Sequence, residues 1–99
     1  MSRRYRRDDL APQLNTRFQI HFTPEIVRDA ELISVSDTTT IGPYESFAIT
    51  FLIPDECPVH QQTYAIDHPK MGRIQLFLVP SGKDEKGTTY LSTFSYKKE

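Results

Sequence analysis

The sequence predicts an all-β domain, a small antiparallel barrel or sandwich of about six strands that follows a short N-terminal helical turn. Apolar residues occupy every second position in several segments, which is typical of strands with one buried face. Clusters of Pro, Gly and Asp separate these segments at intervals of about ten residues, as in sandwiches and barrels. Apart from the N-terminal turn, no segment has a convincing helical period.

The whole chain has the size and composition of one globular domain, with 99 residues of which 37% are hydrophobic and 25% are charged. We expect residues 10–99 to form a single β domain. The single cysteine, Cys57, excludes an internal disulfide. No apolar run approaches the roughly 20 residues of a membrane span, and no signal peptide follows the basic start. We therefore expect a cytoplasmic protein without membrane contact.

The N-terminal segment, residues 1–9, is predicted to be a flexible arm rich in arginine. Its arginines are Arg3, Arg4, Arg6 and Arg7. Asp8 or Asp9 could cap a short helical turn that carries Leu10 and Leu14. The arm is basic, whereas the remainder of the chain is correspondingly acidic and has no overall attraction for nucleic acid.

The first strands follow from period-two patterns. From Arg17 onward, Phe18, Ile20 and Phe22 alternate with polar residues, which predicts a half-buried strand. A second strand is predicted over residues 29–36, and residues 37–43 are predicted to form a loop. The third strand, residues 44–53, is the most apolar segment, so we expect it inside the sheet or at a covered interface, where it cannot template aggregation.

The second half of the chain predicts three further strands. Residues 54–60 form an irregular crossing, and strands follow over residues 62–67, 73–79 and 88–96. In the fifth strand Ile74, Leu76 and Leu78 share one face, while Phe77 and Val79 share the other. Apolar residues on both faces indicate a central strand or a subunit contact. Residues 81–87 are predicted to form a polar hairpin loop.

Several short motifs mark this half: Gln62-Thr63-Tyr64, Asp67-His68-Pro69, Gly72, then Leu-Phe-Leu-Val-Pro at 76–80, and Gly82-Lys83-Asp84. Together they resemble a family of small bacterial all-β domains of unknown function. The resemblance implies the fold, and an accessory place in a larger bacterial assembly of the tail or surface type. It brings no catalytic residues. The chain departs from the family pattern at residues 54–58, where a Gly-Pro turn is expected.

The motif residues also have structural explanations. Pro80 is expected to end a strand, because proline has no N–H to donate. Gly72 and Gly87 can adopt positive φ at hairpin corners, and Asp84 can accept a hydrogen bond from its own turn. We favour this turn-forming role over a role in ligand binding.

One cysteine–histidine cluster, Cys57 and His60, could carry chemistry. With Asp55 and Glu56 nearby it offers ligands for zinc, although His21 or His68 would have to be brought in by the fold. A thiol nucleophile would need an imidazole and an oxyanion hole, and Pro58 removes a backbone N–H there. Asp55 and Glu56 are adjacent, and neighbouring side chains on an extended chain point to opposite sides. They are therefore poorly placed to act as an acid–base pair. No catalytic or cofactor-binding motif is present, so we predict no metal, no cofactor and no enzymatic activity.

The favoured hypothesis is a non-enzymatic protein-interaction or structural module that binds a partner protein or forms a homo-oligomer. The candidate interaction residues are Arg3, Arg4, Tyr5, Arg6, Arg7, Phe77 and Val79. Surface tyrosines favour interfaces, and the arm would act as a tether. One alternative is a nucleic-acid binder, because four guanidinium groups and a stacking ring can contact phosphates and bases. The other alternative is a small metal- or thiol-dependent enzyme at Cys57 and His60.

Overall fold

The structure is a computed structural model that describes residues 5–97. A short helix α1 (Arg7–Leu10) and a 3-10 turn (Ala11–Gln13) precede all of the strands. The strands are β1 (Arg17–His21), β2 (Val27–Val35), β3 (Thr39–Ile41), β4 (Tyr44–Ile53), β5 (Gln62–His68), β6 (Gly72–Asp84) and β7 (Gly87–Lys97). No helix within residues 5–97 has the length and apolarity that a membrane span requires.

Six of the strands close into an antiparallel barrel, so the predicted fold class is confirmed. Around the barrel the order is β1-β2-β4-β7-β6-β5, and β5 pairs again with β1. The remaining strand, β3, lies outside this circuit and pairs with the first residues of β4. Closure removes most of the exposed strand edges that an open sheet would carry.

The barrel interior is filled by the side chains that the period-two patterns placed on one face. Phe18 and Ile20 of β1, Phe51 of β4 and Leu78 of β6 are all fully buried. The rings of Phe18 and Phe51 meet edge to face with their centroids 5.1 Å apart. A barrel of this size has no room for a channel, since inward side chains from opposite strands meet at its axis.

One end of the barrel is closed by the crossing, residues 54–61, that connects β4 to β5. Two buried tyrosines hold its backbone: the Tyr64 hydroxyl donates to the His60 carbonyl at 2.5 Å, and the Tyr90 hydroxyl donates to the Pro58 carbonyl at 2.6 Å. The Tyr90 hydroxyl also accepts from the His60 N–H at 3.3 Å. The irregular backbone thereby finds partners that a sheet would otherwise supply.

The opposite end is closed by α1 and the turn that follows it. Leu10, the one buried residue of α1, is fully enclosed in the core. Asn15, in the left-handed region at φ 68, ends the segment and donates its N–H to the Leu32 carbonyl at 2.8 Å. The Arg7 guanidinium donates to the Ser36 carbonyl at 2.7 Å. The segment from α1 to Asn15 is therefore held by the buried Leu10 side chain and by hydrogen bonds to the carbonyl groups of Leu32 and Ser36.

The structure departs from the sequence prediction in two segments. Residues 37–43 contain the strand β3, which alternation could not reveal in three residues. Pro80 does not end its strand, which was wrong: β6 continues to Asp84 with a register shift between Pro80 and Gly82. The shift accommodates the missing proline N–H. The predicted loop 81–87 is thus reduced to a tight turn at residues 85–86.

The predicted turn chemistry is confirmed at this hairpin. Asp84 accepts the Lys86 N–H at 2.8 Å, and Gly87 has φ +139. A Cβ atom at Gly87 would lie 2.2 Å from the Ile53 carbonyl oxygen, so only glycine fits there. Gly72, at φ +73, forms the corner between β5 and β6.

Replacing Leu10 with alanine should show whether α1 is part of the core. We expect Leu10→Ala to lower the free energy of unfolding by about 2–5 kcal/mol, because it leaves a cavity at the barrel end. The matched control is Leu14→Ala, which removes a side chain that is 40% exposed and should cost less than about 1 kcal/mol. Urea unfolding measures both. Equal effects of the two variants would contradict the assigned role of Leu10.

Candidate interaction site

The two strands β6 and β7 are paired along only part of their length. Their ladder runs from the pair Asp84–Gly87 to the pair Val79–Leu91, and β6 then pairs with β5 alone. In the described chain, residues 72–78 of β6 have no partner on β7, and residues 92–97 of β7 pair only with β4. We call this gap between residues 72–78 and residues 92–97 the seam.

A cavity of about 250 Å³ lies in the seam. Its lining consists of Tyr5, residues 75–77 and residues 92–96. The lining residues of β6 and β7 are positions that would pair with each other if the β6–β7 ladder continued in the same register. The cavity therefore lies where the two strands have separated. All of the lining residues are uncharged. Their polar groups belong to amides and hydroxyls, and their rings belong to tyrosine and phenylalanine.

The structure brings two predicted interaction residues, Tyr5 and Phe77, to the same cavity. The Phe77 side chain is 52% exposed, although its strand neighbours Leu76 and Leu78 are buried in the core. Val79, where the ladder resumes, is half-buried. Their part in binding stays a prediction, but the seam supplies a location where Tyr5 and Phe77 can act together.

The described arginines of the arm contact the protein itself. The Arg6 guanidinium lies over the Tyr96 ring, 5.1 Å from its centroid. The Arg7 guanidinium, hydrogen-bonded to the Ser36 carbonyl, also lies 3.6 Å from the Asp37 carboxylate. Arg3 and Arg4 lie outside the described residues. In the described segment, residues 5–9 therefore lie along the barrel, and the independent motion of an arm over residues 1–9 stays a prediction.

A second uncharged surface is formed by the turn between β3 and β4. We call residues 41–44 the hairpin tip. Ile41 is 73% exposed and Tyr44 is 53% exposed, which makes them prominent among the exposed large apolar side chains. β3 is exposed along its whole length and is hydrogen-bonded to β4 on one side, which leaves its outer edge unpaired within residues 5–97. The sequence did not reveal this surface, because residues 37–43 were expected to form a loop.

The sequence-predicted cluster of Cys57 and His60 lies in the crossing at the far end of the barrel. Cys57 is partly buried beside Thr88, whereas the His60 side chain is exposed. Burial raises the pKa of the Cys57 thiol, and this outweighs the opposing effects of a hydrogen bond with Thr88 and the charges of Arg28 and Lys83. A thiol in this setting is a weaker nucleophile than a free cysteine at neutral pH.

The residues considered as further metal ligands lie elsewhere. His21 is paired with Asp67 on the outer surface, and His68 is buried near the end that α1 covers. Over the described part of the chain, no group of three or more His, Cys, Asp or Glu side chains could hold a metal ion. The fold therefore does not bring His21 or His68 to Cys57.

The reactivity of Cys57 with iodoacetamide tests the thiol alternative. We expect slower alkylation of the folded protein at mildly alkaline pH than of the same protein unfolded in urea, because burial raises the thiol pKa. Mass spectrometry of timed samples measures both rates. Faster reaction in the folded state would indicate a stabilised thiolate and would revive this alternative.

An ionic cluster joins three neighbouring strands on the outer surface. Asp67 of β5 accepts from the Arg73 Nε at 2.8 Å, and its second oxygen lies 2.8 Å from His21 Nε2. The hydrogen bonds from Arg73 and then from His21 hold the pKa of Asp67 well below its usual range. The carboxylate is thus occupied by its neighbours, and we assign it a structural role across β1, β5 and β6.

His68 explains the His-Pro motif. Its Nδ1 accepts the N–H groups of Lys70 and Met71 at 3.1 and 3.3 Å, which fixes the turn between β5 and β6. Its Nε2 lies 3.0 Å from the Thr16 hydroxyl, which itself donates to the Gln13 carbonyl. Nε2 must therefore donate, so the ring is neutral with its proton on Nε2. Burial, and then the charge of Lys70, lower the pKa of His68.

The free energy of unfolding should consequently decrease as the pH is lowered, because of the titration of His68. Because the His68 pKa is lower in the folded state, the unfolded chain takes up its proton first as the pH falls through the ordinary value of 6.5. The contribution is present above that pH and is lost below it. We expect His68→Asn, which keeps an acceptor near the turn amides, to show a smaller loss of stability between about pH 7.5 and about pH 5.

The control for this prediction is His60→Asn, since the His60 side chain is exposed. Urea unfolding of both variants and the parent at each pH gives the comparison. His21 and Asp67 are unchanged in all of these proteins, so a difference in pH dependence reports on residue 68. An unaltered pH dependence in His68→Asn would show that His68 is not the titrating group.

These features define a class of protein: a closed six-stranded antiparallel β-barrel, capped by an N-terminal helix, with an uncharged cavity in the seam between two strands. The chain belongs to the family described as Domain of unknown function (DUF6916), which matches residues 5–94. The match confirms the predicted membership of a family of unknown function. Searches of curated proteins and of solved structures found no match.

Proposed function

We propose that the protein is a non-enzymatic protein-interaction module that binds a partner protein at the seam. The observation that carries the proposal is the exposed Phe77 ring beside an uncharged cavity of about 250 Å³. Aromatic side chains next to such cavities commonly provide most of the binding energy of an interface, because the partner displaces water from them.

Charge supports this location. Charged residues make up 25% of the chain, yet the lining of the seam cavity contains none. Interface centres are typically depleted in charge and enriched in aromatic residues, since an unpaired charge is costly to bury. Arg6, whose guanidinium lies over the lining residue Tyr96, could form part of a polar rim.

The strand edges support it as well. Residues 92–96 of β7 read Ser-Thr-Phe-Ser-Tyr and contain no Lys or Pro, the residues that proteins use to protect exposed edges. Beyond the β6–β7 ladder their outer edge can accept another strand. A free edge next to an exposed aromatic ring suits a partner that supplies both backbone and side-chain contacts.

Two extensions of the proposal come from the sequence. The family resemblance implies an accessory subunit of a larger bacterial assembly of the tail or surface type, and the proposal extends to a cytoplasmic location. Nucleic-acid binding by the arm stays a prediction. The contacts of Arg6 and Arg7 with the protein itself weigh against it, because they occupy the guanidinium groups that phosphates would need.

A capture experiment with point variants tests the proposal. We expect the tagged wild-type chain to recover partner proteins, untagged copies of the chain included, from its native source. Phe77→Asp should lose them, because a charge at the interface centre costs about 2 kcal/mol or more. The matched control is Val59→Asp, which alters a side chain of similar exposure, 53%, in the crossing at the barrel end.

Circular dichroism of the variants first establishes that each one folds, as expected for exposed positions. Quantitative mass spectrometry of the recovered proteins then compares the three baits. The proposal fails if Phe77→Asp and Val59→Asp recover the same proteins as the wild type. It also fails if the wild type recovers nothing above an empty matrix.

A further inference from the structure

We propose that the seam binds a second copy of this chain, and that the hairpin tip of one copy docks into the seam of the next. The inference rests on the proposed function, because it names the partner of the same surface. Two features of the described residues carry it: the gap between β6 and β7, and the exposed turn between β3 and β4.

The hairpin tip has the properties of a ligand for the seam. Ile41 and Tyr44 are 73% and 53% exposed, so both side chains are available outside the barrel. They flank a Gly-Pro turn, which presents them on a short and rigid support. A cavity of about 250 Å³ is large enough to receive a branched aliphatic or an aromatic side chain.

The charges of the two surfaces match. Residues 38–44 read Thr-Thr-Thr-Ile-Gly-Pro-Tyr and contain no charged side chain. The seam cavity is also lined without charge, although one quarter of the chain is charged. Docking residues 41–44 into the cavity therefore brings no charged side chain of either set into contact, whereas a strongly acidic or basic segment would lose hydration there without gaining an ion pair.

The backbone edges match too. β3 pairs with β4 on one side, and its other edge is unpaired within the described residues. Among residues 5–97 no strand pairs with the facing edges of β6 and β7 in the seam, so a strand placed there can exchange main-chain hydrogen bonds with them. β3 is such a strand, and it is carried on the same hairpin as Ile41. Main-chain pairing would give affinity, and the tip side chains would give specificity.

The tip and the seam are different surfaces of one chain, so each copy offers one donor and one acceptor. A reciprocal two-fold pair uses both contacts between two copies. Any other rotation between neighbours forms a ring if it closes, or a chain of copies if it does not. In each case a copy that lacks either surface can form only one contact.

Sedimentation velocity of the purified protein over a range of concentrations tests self-association. We expect the wild type to associate, and Ile41→Asp and Phe77→Asp each to reduce the association constant at least about tenfold. Both substituted side chains are more than half exposed, so the variants should fold, which circular dichroism checks. Val59→Asp is the control and should associate like the wild type.

Mixing the two variants gives a sharper outcome. Ile41→Asp retains the seam and Phe77→Asp retains the tip, so an equal mixture should form one-to-one pairs and no larger species. Loss of association in Ile41→Asp alone would indicate contact between two tips and would overturn the proposal. A mixture that stays monomeric would also overturn it.

The failure of this inference is distinguishable from failure of the proposed function. If the wild type is monomeric at its highest soluble concentration but still captures a different protein through Phe77, the self-docking proposal is wrong and the interaction module remains. If the wild type is monomeric and capture does not depend on Phe77, both are wrong.

Discussion

The structure depends on how β6 divides its hydrogen bonds between two neighbours. Residues 72–78 pair with β5, and the residues from Val79 to Asp84 pair with β7. The second set closes the barrel. Beyond Val79 and Leu91, the edge of residues 72–78 that faces away from β5 and the edge of residues 92–97 that faces away from β4 pair with no other strand of residues 5–97. The point at which β6 and β7 stop pairing therefore determines where the barrel is continuous and where it is open. The uncharged cavity lies at the point where the two strands separate.

The ends of the barrel show how the remaining polar groups are satisfied. At one end the hydroxyls of Tyr64 and Tyr90 bind an irregular backbone, and burial raises the pKa of both phenols, so they act as neutral hydrogen-bonding groups. At the other end His68 acts as a neutral acceptor for a turn. Within the described residues no buried side-chain polar atom lacks a partner. Of the two groups considered for catalysis, Cys57 is partly buried with a raised thiol pKa and the His60 side chain is exposed. The seam and the hairpin tip are the more distinctive surfaces.

Much of the fold could be predicted from the sequence because alternation is a local property. Phe18, Ile20 and Phe22 are buried as their spacing indicates, and the hairpin at Asp84 and Gly87 has the predicted turn chemistry. The seam could not be predicted, since strand pairing depends on residues far apart in the chain. Phe77 shows the difference: alternation with Leu76 and Leu78 places it on the other face of β6, but its exposure depends on whether a distant segment of the chain covers that face. The resemblance anticipated membership of a family of unknown function and an all-β fold, and it supplied no site.

The most direct test of this account is site-resolved amide hydrogen exchange along β7, measured by NMR on dilute protein. A strand paired on both sides protects every amide, whereas a strand paired on one side leaves alternate amides open to solvent. We expect uniform protection from Thr88 to Leu91, where β6 and β4 flank the strand, and alternating protection over residues 92–97, where only β4 does. Uniform protection over the whole strand would show that the β6–β7 ladder is continuous and would contradict the account.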